Sequence, residues 1–518
     1  MTDVIARSAV TATGPHFGLS KFADPLRVPP LIRPHSWWHQ DEITIAKTRA
    51  RVRLHSQLPE TEVWAYEGQF PGPTIEVRSG RRLRVNWNNR IDGTIPVIAV
   101  QQRAELADIN APARTPGYRN LDGTPQAGTE IIDGVSVLPA WTVVHLHGAR
   151  TGGGNDGWAH NAVLRGASQL AEYPNGQQSA TLWYHDHAMA VTRFNVFAGL
   201  AGMYLIRDAE EDALGLPAGD REIPLVLTDR NLDTDPVTGA LTGQLLFKIP
   251  FITPAGPAGP AVPIPFTGPF NLVNGVIWPH IEVDARWYRF RVLNASSSRF
   301  YRLTLVDETG VADHDGVRII GTDGGLLPAP APLPAGGLVL APAERADVLI
   351  DFSRYRGQNL TLRNTLADRT EPDIMQFRVE ERCSSGWRNA TGTTRSRCRR
   401  WCPGRTSGCS TARRCPRTTT TCSWRSSRPA PRAMRTRSCG NCRRSPIRPR
   451  CPRGSQRTGS CNSPTRPAGR CGRSGWSRTS STTRRRSSSA TTGGRSGTSS
   501  TWAGPPTRCT STWRSCNS

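Results

Sequence analysis

Apolar and polar residues alternate in many short segments of this chain of 518 residues. Residues 75–77, 83–87 and 287–293 place apolar side chains at every second position, which is the period of a half-buried β-strand. Turn-forming pairs such as Ser79-Gly80 and Asn274-Gly275 separate such segments. No long stretch shows convincing helical periodicity, and the pattern therefore predicts an all-β protein.

The strand pattern falls into two successive blocks, residues 41–210 and 211–382, which predict tandem β-sandwiches or Greek-key barrels. Residues 1–40 are rich in Pro and aromatic side chains and are predicted to form an extended arm packed on the surface. No apolar run approaches the ~20 residues that a membrane helix needs. The first ten residues lack a basic start followed by an apolar core, so we expect no signal peptide and a cytoplasmic location.

Residues 383–518 have a different composition from the rest of the chain. They contain 30 Arg, no Asp, Glu, Lys or His, and all 13 cysteines, whereas all 11 histidines precede them. The formal net charge of +25 therefore conceals a slightly acidic first part and a strongly basic tail. The tail has no Leu, Val, Phe or Tyr, so it cannot bury enough apolar area to offset its ordering entropy, and we expect it to be disordered.

Two short motifs carry most of the candidate chemistry. His145 and His147 flank Leu146, and His185 and His187 flank Asp186, in segments that read as strands. Residues two apart on a strand point to the same face, so each motif directs two imidazoles to one side. Four imidazoles from two neighbouring strands make a site for a borderline transition metal, copper or zinc.

The surroundings of these motifs resemble the multicopper oxidase family over roughly residues 40–380. The stretch 66–75 (YEGQFPGPTI) resembles the opening strand of the family's first cupredoxin domain, and the two histidine motifs resemble its first two copper motifs. Residues 288–295 (YRFRVLNA) and 342–352 (PAERADVLIDF) match patterns of its second domain. Further stretches, 156–161 (DGWAHN) and 220–224 (DREIP), resemble most closely the bacterial phenoxazinone synthases, or o-aminophenol oxidases, with spore-coat laccases and bilirubin oxidases as near relatives.

The resemblance implies copper as the metal and gives each histidine a role. His145 would bind the type 2 copper, and the other three would bind the type 3 pair of the cluster that reduces dioxygen to water. Asp156 matches an acidic residue that helps deliver protons there, although an ordinary Asp in a turn is the alternative interpretation. Asp186 faces away from the ligands and is expected to be structural, whereas Trp183 shares their face and is expected to pack beside them.

His160, His280 and His314 have no partner at ligand spacing, whereas His35 and His39 lie near Trp37 and Trp38 in the predicted arm. The first three are interpreted as surface or hydrogen-bonded side chains, and the other two as parts of the packed arm.

The family pattern breaks in the tail. The resemblance implies a third cupredoxin domain with a His-Pro-x-His-x-His motif and a His-Cys-His motif, which supply the other cluster ligands and the type 1 copper. No histidine follows His314, so this chain as written lacks them. Residues 506–513 can be encoded CCC-ACC-CGA-TGC-ACG-TCC-ACC-TGG, which from the third nucleotide reads His-Pro-Met-His-Val-His-Leu. We therefore interpret residues 383–518 as a third domain read in the wrong frame, with a frameshift near Glu380 to Cys383.

Two other interpretations of the tail rank below the frameshift. A basic arm that binds nucleic acid would use its positive charges on phosphate, but such arms usually contain Lys as well as Arg and avoid many free cysteines. A disulfide-rich or zinc module would show regular cysteine spacing, and only Cys439 and Cys442 form a C-x-x-C pair.

The sequence therefore predicts an oxidoreductase that by resemblance oxidises o-aminophenols or related phenols and couples this to four-electron reduction of dioxygen to water. Its partners would be a small phenolic or aminophenolic substrate and dioxygen, with no membrane; the oligomeric state stays open. The literal chain is expected to be inactive because the third domain is missing. The alternatives are a non-enzymatic copper-binding cupredoxin remnant and a laccase-like or bilirubin-oxidase-like activity.

Overall fold

The structure is a computed structural model that describes residues 17–34, 40–103, 115–252, 262–366 and 371–381. The predicted tail, residues 383–518, lies outside the described residues, and so do His35 and His39 of the predicted arm.

Strands dominate the first half of the described chain. They are β1 (Leu31–Ile32), β2 (Gln40–Val52), β3 (Thr61–Tyr66), β4 (Gly72–Arg78), β5 (Arg82–Asn89), β6 (Val97–Arg103), β7 (Thr129–Ile131), β8 (Val144–His147), β9 (Ser168–Tyr173), β10 (Ala180–Asp186) and β11 (Ala201–Arg207).

The second half is also built of strands. They are β12 (Glu222–Arg230), β13 (Leu232–Thr234), β14 (Leu241–Ile252), β15 (Val262–Pro263), β16 (Phe270–Val273), β17 (Val276–Ile277), β18 (His280–Val283), β19 (Trp287–Asn294), β20 (Tyr301–Val306), β21 (Val317–Thr322), β22 (Gly325–Pro332), β23 (Leu338–Leu340), β24 (Arg345–Asp351), β25 (Asn359–Asn364) and β26 (Asp373–Val379).

Helices are few and short in the described residues. They are α1 (Asp133–Ser136), α2 (Thr192–Ala198) and α3 (Ala209–Ala213), with 3₁₀ turns at Gly153–Asn155, Ala159–Asn161, Gly219–Arg221 and Phe352–Arg354. None of these helices has the length and apolarity that crossing a bilayer requires. The predicted all-β fold is confirmed.

The first sandwich contains a sheet of order β1-β4-β11-β10-β8 and a sheet of order β3-β2-β5-β9. Their facing side chains form one hydrophobic core. Tyr66 lies edge-on to both Trp87 and Tyr184, with ring centroids 5.6 and 4.9 Å apart, and all three are completely buried. Such edge-to-face contacts stabilise aromatic pairs beyond the area that they bury. This core supports the strand β10 from behind.

A third sheet, of order β13-β14-β6-β7, continues the first sandwich. Strand β14 runs parallel to β6, with Leu245 beside Val97 and Phe251 beside Arg103. Apolar residues of β14 join the core of the first sandwich. Strand pairing therefore extends across the predicted domain boundary at residue 211. The boundary itself stays a prediction.

The second sandwich packs a sheet of order β17-β16-β12-β19-β24-β21-β22 against one of order β18-β26-β25-β20-β23. Phe290, Phe352 and Phe377 meet in its core. The predicted turn at Asn274-Gly275 joins β16 to β17, and both residues have positive φ, 49° and 76°. A two-residue hairpin turn of this kind needs positive φ at both positions, which Asn and Gly tolerate.

The described part of the predicted arm, residues 17–34, lies against both sandwiches. Strand β1 adds in parallel to β4, whereas the backbone N–H groups of Phe22 and Leu26 donate to the carbonyls of Trp278 and His280. The His280 ring contacts the carbonyl of Phe22 through Nδ1 at 3.0 Å, as expected for a hydrogen-bonded histidine outside a metal site.

A buried network of charges joins the two sandwiches. Glu211 of α3 accepts hydrogen bonds from Arg207 of β11 and from Arg289 and Arg291 of β19, at 2.9, 2.5 and 2.5 Å. Glu222 accepts from Arg207 at 2.7 Å and from Arg291 at 2.8 Å. Because Arg289 and Arg291 are each only 2% exposed, water cannot replace a lost partner. This pairing fixes the first sandwich against β19 of the second.

Removing one guanidinium from this network should destabilise the fold. We expect Arg291→Ala to lower the free energy of unfolding by about 3 kcal/mol, because buried carboxylates would lose a partner that they cannot recover from water. Arg33, which pairs with Glu76 at 2.6 Å but has a side chain 65% exposed, provides the matched control. Arg33→Ala should cost less than about 1 kcal/mol. Urea unfolding of both variants measures the difference, and equal losses would contradict the interpretation.

Candidate metal centre

The two histidine motifs lie on adjacent antiparallel strands. His145 and His147 belong to β8, His185 belongs to β10, and His187 follows directly after β10. The register sets His185 opposite His145 and Trp183 opposite His147. Because both pairings put their side chains on one face of the sheet, the two motifs converge as the sequence predicted.

The four imidazoles form a compact group. The His145 ring centroid lies 5.6, 5.5 and 5.3 Å from those of His147, His185 and His187. The ring nitrogens that His145, His147 and His185 offer all lie within 4.8 Å of one another. Nδ1 of His147 lies 3.4 Å from Nε2 of His185. At that separation both nitrogens can bind one ion at about 2.0–2.1 Å, the usual distance between a metal and an imidazole nitrogen.

Backbone carbonyls orient two of the rings. Nδ1 of His145 donates to the carbonyl of Asp156 at 2.6 Å, and Nδ1 of His185 donates to the carbonyl of Asp186 at 2.8 Å. A ring whose Nδ1 carries the proton has its lone pair on Nε2, so these bonds select the tautomer that a metal requires.

Burial keeps two of the rings neutral. It lowers the pKa of His185 to about 3 and that of His147 to about 4, and the nearby Arg345 guanidinium contributes further to the shift of His147. Both rings therefore keep a nitrogen lone pair at neutral pH without competition from protons. This donor set fits a copper or zinc ion.

Trp183 covers one side of the imidazoles. Its ring stacks on His185 with centroids 4.1 Å apart and on His147 with centroids 5.3 Å apart. The residue is buried in a small apolar cluster with Met203, Leu205 and others. It packs beside the histidines, as its place on their face predicted.

Asp156 lies beside His145 but contacts it mainly through its backbone. The carboxylate Oδ1 is 3.4 Å from His145 Nδ1, farther than the carbonyl oxygen, and the side chain is 48% exposed. The residue follows the 3₁₀ turn Gly153–Asn155. Its place at the exposed edge of the histidine group is compatible with a role in proton delivery, which stays a prediction.

Sequence reasoning missed Gly157, which follows Asp156 and lies against β8. Its φ is 77°, and a Cβ atom on it would be 2.1 Å from the carbonyl oxygen of Val144 and 2.9 Å from Cα of His145. Only glycine permits both this conformation and this approach. A glycine beside a candidate acidic residue gives no signal in a single sequence that distinguishes it from any turn glycine.

Two polar side chains from elsewhere in the chain were also missed. Gln169 of β9 accepts from the N–H of Val144 at 2.6 Å and donates to its carbonyl at 2.8 Å, which holds β8 at its start. Arg345 of β24 reaches across from the second sandwich and donates to the carbonyl of Thr181 at 2.9 Å. Both contacts depend on tertiary structure, so no local motif could have found them.

His160, His280 and His314 lie outside this group in the structure. His160 is exposed and its ring lies 6.1 Å from that of Trp158. His314 lies in the second sandwich, in the loop before β21, and His280 contacts the arm. Their interpretation as histidines without a metal role stays a prediction.

Comparisons with known proteins agree with this geometry. A family model described as multicopper oxidase matches residues 48–108 and 121–211, which include both histidine motifs. A laccase of Bacillus subtilis (strain 168) is 36% identical over 386 residues, covering 70% of this chain and 66% of that protein. A bilirubin oxidase of Albifimbria verrucaria is 30% identical over 356 residues, covering 66% of this chain and 50% of that protein.

The fold comparison points the same way. The crystal structure of a multi-copper oxidase from Pediococcus acidilactici superposes with a TM-score of 0.51 at 26% sequence identity, covering 70% of this chain and 62% of that one. The chain thus matches about two thirds or less of the length of these relatives. The chain belongs to the multicopper oxidase family, as the histidine motifs, the strand order that joins them and these likenesses together show.

Proposed function

We propose that His145, His147, His185 and His187 bind copper, with His145 as a ligand of the type 2 ion and the other three as ligands of the type 3 pair. The observation that carries this proposal is the register of β8 on β10, which brings four imidazoles onto one face. The 3.4 Å approach of His147 Nδ1 to His185 Nε2 supports a shared ion for these two residues. Membership of the multicopper oxidase family favours copper over zinc.

The reaction that we propose for the complete enzyme is oxidation of a small phenol coupled to reduction of dioxygen to water. Bound copper would supply the one-electron chemistry that links the two half-reactions. The chain's own residues hold and orient the imidazoles, exclude water from His185 through Trp183, and place Asp156 at the exposed edge of the group, where we propose that it carries protons.

For the substrate we propose o-aminophenols or related phenols. The stretches 156–161 and 220–224, which resemble those of phenoxazinone synthases, support the aminophenol, and relatives named laccase support phenols more generally. A laccase-like enzyme without preference for the amino group is the alternative.

We further propose that the literal chain does not turn over substrate. The 518 residues contain no His after His314 and no His beside any cysteine, so they hold neither a type 1 copper motif nor a second set of cluster ligands. A frameshift near Glu380 to Cys383 would account for the composition of residues 383–518, which lie outside the described residues. A copper-binding remnant without activity is the state expected of the chain as written.

Copper binding by the full chain tests the site directly. We expect the variant in which all four histidines are replaced by alanine to lose its imidazole-bound copper, and His185→Ala alone to lose most of it, because the buried ring is stacked, oriented and neutral. The cysteines, all at or beyond Cys383, should first be alkylated so that thiolates do not compete. The readout is nitrogen hyperfine structure in the Cu(II) electron paramagnetic resonance spectrum, with metal analysis for stoichiometry. His160→Ala is the matched control, and undiminished copper in the fourfold variant would refute the site.

A substitution that moves β8 should weaken the same site without removing a ligand. We expect Gly157→Ala to reduce Cu(II) affinity by about tenfold or more, because the new Cβ would displace Val144 and His145. A loss of this size is usual when a residue that supports a metal ligand is changed. Gly154→Ala, where a Cβ would meet nothing within 4 Å, should leave affinity unchanged. Equal affinities in competition titrations of the two variants would show that Gly157 does not support the site.

The nucleotide sequence around codon 380 tests the frameshift. We expect one inserted or lost base there, and restoration of the frame should yield a His-Pro-x-His-x-His motif near the C-terminus. The restored protein should show the blue absorption of a copper thiolate and oxidise an o-aminophenol, whereas the literal chain should be colourless and inactive. An intact reading frame, or turnover by the literal chain, would contradict the proposal.

A further inference from the structure

Asp186 lies between two candidate ligands in the sequence, but its side chain lies on the opposite side of β10. Strand alternation turns its side chain away from His185 and His187 into the first sandwich, where it is completely buried. A carboxylate in such a place is costly unless hydrogen bonds or charges satisfy it, so its partners show what it holds.

The carboxylate accepts three hydrogen bonds from two separate parts of the chain. Oδ2 accepts from the backbone N–H of Val143 at 2.9 Å, and Oδ1 accepts from the N–H of Ala188 at 3.0 Å and from Nδ2 of Asn195 at 2.7 Å. Val143 comes two residues before His145, and Ala188 comes directly after His187. The single side chain therefore binds the entry to one histidine motif and the exit from the other.

A backbone hydrogen bond also joins the segment before His145 to the segment that contains His187. The N–H of His187 donates to the carbonyl of Val143 at 2.8 Å, so Val143 is tied to this segment through both its N–H and its carbonyl. Asn195 of α2 extends the contact, because its Nδ2 also donates to the carbonyl of Trp141 at 2.8 Å. His187 lies beyond the last residue of β10, and its bond to Val143 continues the pairing of β10 with the β8 segment by one residue.

A buried cation accompanies this group. Lys47 of β2 is completely buried, and its ammonium has no hydrogen-bond partner among the described residues. The charge of Asp186 attracts it. Burial raises the pKa of the Asp186 carboxyl to about 6, whereas its three hydrogen bonds and the charge of Lys47 act in the opposite direction and favour the ionised form.

We propose that Asp186 is a positioning residue that fixes the spacing between the two histidine motifs, and that Asn195 supports it through α2. The inference deepens the proposed copper site and rests on it for its function, but the effect on backbone order can be measured without metal. Loss of the carboxylate frees Val143 and Ala188 together, so that His145 and His187 lose their fixed separation.

The test compares Asp186→Asn with Asp229→Asn in the full chain. Asp229 is an equally buried carboxylate that accepts from the N–H of Gly268 at 2.7 Å and pairs with Arg299. It belongs to β12, which pairs with β16 and β19 rather than with β8 or β10. Both variants are expected to lose stability. With Cu(II) as the probe and the cysteines alkylated, Asp186→Asn should bind about 10- to 100-fold more weakly, as expected for loss of a group that orients ligands. Asp229→Asn should bind like the unaltered chain.

Hydrogen exchange of the metal-free protein separates this inference from the copper site itself. In Asp186→Asn the amides of Val143 and Ala188 should exchange faster relative to the core strands, and in Asp229→Asn they should not. If the unaltered chain binds no Cu(II), the proposed copper function fails, while the exchange result still decides the positioning role. Unchanged exchange at both amides, or Cu(II) affinities that fall equally in the two variants, would overturn the inference.

A milder variant guards against a failure to fold. Asn195→Ala removes one of the three donors and leaves the carboxylate in place. It should lower Cu(II) affinity in the same direction but by less than Asp186→Asn. An affinity equal to that of the unaltered chain, with exchange at Ala188 also unaltered, would remove Asn195 from the proposal.

Discussion

The pairing of β8 with β10 is the contact on which the candidate site depends. An antiparallel register that sets His145 opposite His185 puts both members of each motif on one face, whereas a slip of one residue would turn one pair into the core. The aromatic core behind β10 makes such a slip costly, because Tyr184 would exchange places with a histidine. The hydrophobic core of the first sandwich thus fixes the geometry of the candidate metal ligands.

The second sandwich contributes to this face from a distance. A buried network of charges fixes β19 against the first sandwich, and its members are Arg207, Arg289, Arg291, Glu211 and Glu222. Arg345 on the neighbouring β24 donates to the carbonyl of Thr181 and lies near His147. A positive charge held there disfavours protonation of His147. The interface between the sandwiches therefore acts on His147, a candidate ligand that belongs wholly to the first sandwich.

The sequence was sufficient where period and spacing carry the information. Alternation located β5 and β19, the Asn274-Gly275 pair located a hairpin, and the two His-x-His motifs gave the candidate ligands. It failed where contacts join distant segments. The parallel pairing of β14 with β6 has no local signal, and the carbonyl of Asp156, rather than its carboxylate, makes the closer contact with His145. Backbone acceptors are present at every residue, so no pattern of side chains could have singled this one out.

The arginine–glutamate network and the histidine group differ in a way that bears on function. The arginine–glutamate network sets cations and carboxylates in direct contact, although Oε2 of Glu211 has no hydrogen-bond partner among the described residues. The histidines instead gather nitrogen donor atoms on one face: burial keeps His185 neutral at neutral pH, and its Nε2 lies 3.4 Å from Nδ1 of His147. Fold stability alone gives no reason to gather neutral imidazoles whose nitrogens face one another. Such a concentration of nitrogen atoms within an otherwise consistent structure is typical of a functional site, and the copper site that we propose would make use of it.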